Sequence, residues 1–213
     1  MQEEAHKVRI PQQKRSIEKK NKIVEVAYRV FCEKGYNAVT TADIALQAGL
    51  ATGSIYAYFT DKKDIFIAAF DKYASNVQRQ LLENYEGLSN QCSMQSIIEN
   101  IINSLVDINN LTRLFHREVM ALMYLDTEVR RCYERHHEAL IEIITGQLVK
   151  RGIVLADMRE KTYLAILIIE NVTRDIIYGV EDNIDKRKVI KLCEKFMDFL
   201  LKDPSRNEQS TSR

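Results

Sequence analysis

Two short helical patterns meet across a single glycine within residues 40–59, and this narrows the possible folds of the chain more than any other stretch. Ile44, Ala45 and Ala48 share one face at helical spacing, Gly49 interrupts, and Ile55 and Phe59 resume the pattern four residues apart. The Thr40 hydroxyl can cap the first helix, and Asp43, three residues on, can answer as in a capping box, so this helix begins near Thr41. The second helix is predicted over 52–59. Two short helices joined at a glycine turn have the shape of a helix-turn-helix.

Elsewhere chain breakers are scarce. Seven glycines and two prolines among 213 residues are too few to punctuate a many-stranded protein, and 46% hydrophobic residues suffice for a buried core. An all-α fold follows. A first helix is predicted over 17–34, with Ile23, Ala27, Val30 and Phe31 as its apolar stripe. Gly35 then closes it, and Tyr36 folds back onto the stripe. Further helices over 62–85, 94–109, 112–124, 127–150, 159–178 and 186–202 bring the expected number to nine. The polar stretch 87–93 reads as a loop, and the tail after Pro204 has no apolar residue to pack and reads as disordered. The expected organisation is a basic flexible arm (1–16), a helix-turn-helix domain (17–77), a second helical domain (78–203) and the tail (204–213).

The net charge of +1 hides an uneven distribution. Lys7, Arg9, Lys14, Arg15, Lys19, Lys20 and Lys22 stand against the single acid Glu18, a run that suits a polyanion. No long apolar run and no secretory leader is visible, so a cytoplasmic location is expected. Cys32, Cys92, Cys132 and Cys193 are far apart and form no CxxC pair, as expected of reduced, structural thiols. A phosphate loop, HExxH, GxSxG and a paired carboxylate setting are all missing. An enzyme is not expected, and no cofactor is implied.

With Ile55 and Phe59 assigned to the core, Thr52, Gly53, Ser54, Tyr56, Ala57 and Tyr58 face outward. In a helix-turn-helix the second helix lies in the major groove. Small residues let its backbone approach closely, hydroxyls donate to phosphates or base edges, and Ala57 or the Thr52 methyl suits a thymine methyl. Lys62 and Lys63, at the start of the next helix, can meet a phosphate.

The order FCEKGY, a threonine pair, IALQAG, TGSIYAYF and a lysine three residues on resembles the tetracycline-repressor (TetR) family over about 17–77. The resemblance implies that Thr41 caps a helix and contacts phosphate, and that Thr52, Gly53 and Ser54 open the recognition helix. It implies that Tyr56 binds phosphate and that Tyr58 and Lys62 make further contacts to the DNA backbone. Ala51 departs from the family's usual serine or threonine, so the recognition-helix cap must come from Thr52 or be absent. The resemblance also implies a homodimer on a palindromic double-stranded operator, with a ligand cavity in the C-terminal helices and repression as the default.

The second half is compatible with both features. Leu164, Ile166, Leu167, Ile168, Ile169, Val172, Ile176 and Ile177 make one helix apolar over most of its circumference, and the last helix adds Val189, Ile190, Leu192, Cys193, Phe196, Met197, Phe199 and Leu200. A four-helix dimer interface or the inner core of a monomer would both use them. Glu170 and Arg174 have the favourable i, i+4 order. Ile101, Leu105, Phe115, Val119, Met120, Met123, Tyr124 and Tyr178 are candidate liners of a cavity for a small, largely apolar effector, with Asn171 or Glu170 reading a polar group; plain core is the alternative. Cys132 and His136, one helical turn apart, with His137 adjacent and His116 one helix earlier, could serve a metal- or thiol-responsive regulator, or be polar surface. A sequence-tolerant DNA binder is the remaining alternative.

Overall fold

In the computed structural model the described residues are 9–86, 93–179 and 183–201, and among them every regular element is an α-helix. In chain order these are α1 (Arg9–Lys34), α2 (Thr41–Ala48), α3 (Thr52–Ile55), α4 (Lys62–Glu86), α5 (Met94–Leu111), α6 (Arg113–Leu125), α7 (Thr127–Lys150), α8 (Met158–Tyr178) and α9 (Lys186–Leu200). The first eight residues of the expected arm, the expected loop up to Cys92 and the tail lie outside the described residues.

Two elements differ from expectation. Helix α1 starts at Arg9, so much of the expected arm is helical. Pro11 falls in the first turn, where its missing N–H removes no intrahelical bond, and Gln12 to Arg15 are good helix formers. Helix α3 ends at Ile55, before the expected 59, and passes into a turn in which the Phe59 amide still bonds the Ile55 carbonyl at 3.1 Å.

The chain divides into two compact units. The first comprises Met1–Ala74 with Leu114–Cys132, the second Ser75–Arg113 with Tyr133–Arg213. In the first, the α1 stripe of Ile23, Ala27, Val30 and Phe31 is fully buried. Gly35 takes φ 81°, a left-handed conformation that returns the chain, and the Tyr36 ring lies 5.8 Å from that of Phe31. Phe66 of α4 meets Phe31 at 5.4 Å and Phe115 of α6 at 5.1 Å, mostly in the tilted or edge-on geometry that aromatic quadrupoles favour. Val39, Ile44, Ile55 and Ile65 complete a core without exposed members.

In the second unit, Ile98 and Ile102 of α5 pack with Ala165 of α8 and with Cys193 and Met197 of α9. Half-buried Ile168, Ile169, Val172 and Ile176 surround this cluster. Helix α7 joins α8 through Thr145, whose hydroxyl donates to Thr162 at 3.2 Å, and through Arg159, which donates to both Glu138 and Glu142.

Candidate nucleic-acid interface

The helix-turn-helix is held by local chemistry. Thr40 accepts from the Asp43 amide at 3.2 Å, and the Asp43 carboxylate accepts from the Thr40 amide at 2.9 Å, completing the expected capping box. These hydrogen bonds hold the Asp43 carboxyl below the usual carboxylate range. Gly49 closes α2 at φ 66°, with its amide bonded to the carbonyls of Ala45 and Leu46. Ile44, Ala45, Ala48, Ile55 and Phe59 are buried, which fixes the face that remains outside.

On that face Thr52 and Gly53 are exposed, Ser54 and Tyr58 half-buried, and Tyr56 is 55% exposed. Ala51 occupies the N-cap of α3 and supplies no side-chain hydrogen bond, so the cap is absent. The cost is one amide left for water or an incoming acceptor. Tyr56 and Thr41 are joined, their hydroxyl oxygens 3.1 Å apart, so that two elements share one hydroxyl pair at the surface. Gly53 is the most informative position. A Cβ built there meets nothing within 4 Å, and its φ is not positive, so neither packing nor backbone conformation calls for glycine. The room lies outside the protein, as close approach of a partner to the helix backbone would require.

The cations are arranged less simply than their positions suggested. The Lys62 ammonium donates to the Tyr36 carbonyl at 2.9 Å and lies 4.3 Å from the centre of the Tyr36 ring. Part of its donor capacity is therefore spent within the protein. Lys63 pairs with Glu128 and, at 3.3 Å, with Asp126, which pushes its ammonium pKa up. Lys14, Arg15, Lys19, Lys20 and Lys22 of α1 are exposed, and the Lys20 ammonium stands 5.5 Å from the centre of the Phe59 ring, bringing the basic helix to the end of the recognition turn. Two residues of this unit were missed by sequence reasoning. Glu118 of α6 accepts from the Tyr36 amide and occupies the space a Cβ on Gly35 would need, 2.7 Å away. Leu46 is 79% exposed on α2; it stands off the Ile44, Ala45, Ala48 face, which was the available signal.

The expected cavity liners separate. Phe115 and Val119 are fully buried in the first unit, Phe115 among Tyr28, Phe31, Phe66 and Tyr73, so they act there as core. Met120 and Met123 are half-buried, and Tyr124 is 69% exposed. In the second unit, exposed Asn171 donates to the Leu167 carbonyl at 2.6 Å and accepts from Arg174, while Tyr178 donates to the Arg113 carbonyl at 3.1 Å. Glu170 turns to Tyr133, whose hydroxyl donates to it at 3.1 Å, rather than forming the expected ion pair with Arg174. Cys132 is buried, and the half-buried His136 uses its carbonyl to accept from Gln78 at 2.9 Å. Burial pushes the Cys32 thiol up to about 11, which leaves it a poor nucleophile at neutral pH. No described helix is long and apolar enough to cross a membrane.

The family described as bacterial regulatory proteins, tetR family, matches residues 23–69, which include the whole helix-turn-helix. The chain is 27% identical over 161 residues to the fatty acid metabolism regulator protein of Bacillus subtilis, an alignment covering 75% of this chain and 78% of that protein. It is 24% identical over 185 residues to the transcriptional repressor AcnR of Corynebacterium diphtheriae, covering 83% and 90%. A tetR-family transcriptional regulator of known structure from Streptomyces coelicolor shares the fold, with a TM-score of 0.65, 16% identity, and coverage of 86% of this chain and 80% of that one.

Proposed function

We propose that this chain, similar to the tetR family of bacterial regulatory proteins, is a DNA-binding transcription regulator that works as a homodimeric repressor released from a palindromic operator by a small effector. The observation that carries the reading is the outer face of the recognition turn. Thr52, Ser54, Tyr56 and Tyr58 bring hydroxyls to a surface where Gly53 leaves room for a duplex. Tyr56 and Thr41 donate to one phosphate region as a pair, Tyr58 and the remaining N–H groups of Lys62 contact the flanking backbone, and the exposed cations of α1 add sequence-independent attraction.

The dimer reading is supported by α8 and α9. Leu192, Phe196 and Phe199 are 64%, 42% and 77% exposed, and Leu164 is 41% exposed. An apolar set of this size on a soluble chain marks a surface that associates. Two copies joined there present two recognition helices to major-groove half-sites about 34–36 Å apart. Release of the DNA about a thousandfold requires the effector to favour the released conformation by about 4 kcal/mol, a difference within reach of one binding site.

The test is selection of genomic fragments by the purified full chain, followed by sequencing of what stays bound. Recovery of one short palindrome is the expected result. Retention of all fragments alike would point to a sequence-tolerant binder and overturn the reading.

A further inference from the structure

Between α7 and α8 the second unit holds a groove of about 430 Å³, within the range of small-molecule sites. None of the cavity liners expected from the sequence belongs to it. Its floor is aromatic and polar at once. His137 is stacked on Tyr133 with ring centres 5.7 Å apart and meets the edge of Tyr163 at 5.6 Å. The His137 side chain is only 11% exposed, its Nε2 has no hydrogen-bond partner, and the nearest carboxylate oxygen, on Glu170, is 3.9 Å away, too far to serve. Burial pushes the Glu170 carboxyl pKa up, against the pull of His137 and of the Tyr133 hydroxyl. A buried ring nitrogen left without a partner in this way is costly.

The rim selects the sign of charge. Glu134, Glu138 and Glu160 line it with one guanidinium, that of Arg159, which is already shared between Glu138 and Glu142. Glu134 and Glu160 have no cationic partner among the described residues. The excess of carboxylates repels an anion and draws a cation, and half-exposed Tyr163 adds the ring that a desolvated cation favours. Ile141 and Leu167 offer an apolar wall for the rest of the molecule.

We propose that this groove binds an organic cation with an aryl or alkyl body, its ammonium between Glu134 and Glu160 and its apolar body over Ile141 and Leu167. Its assignment as the seat of the effector rests on the regulator reading; the binding itself does not.

The experiment titrates the full chain, without DNA and near neutral pH, with three probes of one shape and different charge: 1-naphthylmethylamine, 1-naphthylmethanol and 1-naphthoate, followed by calorimetry. The amine is expected to bind about tenfold or more tightly than the alcohol, with no saturable binding of the carboxylate. A Glu134→Gln, Glu160→Gln double variant is expected to bind amine and alcohol alike, with an unchanged circular dichroism spectrum. Equal affinity for amine and alcohol in the unaltered chain, tighter binding of the carboxylate, or no saturable binding of any probe overturns the site, the last also covering a groove sealed by a second copy. Addition of the amine to the complex with a selected operator fragment separates the two claims. Release supports the effector assignment, whereas binding without release overturns that assignment and leaves the cation site standing. Failure to select an operator defeats the regulator reading while the three-probe comparison still decides the site.

Discussion

The two units of this chain solve burial in different ways. The helix-turn-helix unit buries its core by local means: its aromatic rings interlock, left-handed Gly35 and Gly49 close α1 and α2, a capping box opens α2, and the side chains it exposes are mostly charged, small or hydroxylated, with Leu46 and Leu125 as apolar exceptions. The other unit differs. Its core of isoleucines, Ala165, Cys193 and Met197 leaves Leu192, Phe196 and Phe199 in water, and the two buried side-chain atoms lacking a hydrogen-bond partner among the described residues, His137 Nε2 and Thr173 Oγ1, both belong to it. The contrast teaches where each surface gets its instructions. The second unit exposes more large apolar side chains than the first and holds both of those orphaned polar atoms.

The comparison breaks most easily at α9. Leu192→Asp together with Phe199→Asp removes two large exposed apolar side chains, and at about 1.5–3 kcal/mol each the association should weaken by about 3–6 kcal/mol. Sedimentation equilibrium should then show a monomer with unchanged helix content. A dimer of undiminished affinity would remove the distinction between the units. Phe66→Ala attacks the first unit from inside and should cost about 3–5 kcal/mol of stability in urea denaturation, because the interlocked rings leave no neighbour free to fill the space. Gly53→Val sharpens the contrast, since stability should stay within about 0.5 kcal/mol while operator affinity falls about tenfold or more. Equal affinity of the valine variant in a fluorescence anisotropy titration would show that the open space there is not used. The smallest effect is expected at the capping box, where Thr40→Ala should cost about 1 kcal/mol in a thermal melt. That loss should depend on pH. The Asp43 carboxyl is held below its unfolded value by Thr40, so its contribution is complete above the usual carboxylate range and disappears as pH falls through the lowered value. Melts of the parent and Thr40→Ala proteins should therefore converge in acid; a constant difference would remove Asp43 from the account.

What could be read in the sequence was what local chemistry decides. The capping box at Thr40 and Asp43, the glycine stop at Gly49, the buried stripe of α1 and the bounds of α7 all follow from periodicity and caps within a few residues. What could not be read depends on distant partners. The Glu118 carboxylate reaches the Tyr36 amide across 82 positions, Lys62 is drawn to a backbone carbonyl 26 positions away, and Phe115 is buried by rings from α1 and α4. No spacing rule links those pairs. The groove residues were equally hidden, since Glu134 and Glu160 look like ordinary charges on solvated helix faces until α7 and α8 are placed side by side.

The central claim is that two copies of the recognition turn read one palindrome, and it is tested most directly by titrating a selected fragment with the protein at two salt concentrations, following anisotropy and stoichiometry together. The account predicts two chains per palindrome, affinity that falls as salt rises, and binding to a scrambled fragment weaker by a factor on the order of a thousand. One chain per site, or equal affinity for the scrambled fragment, would contradict it.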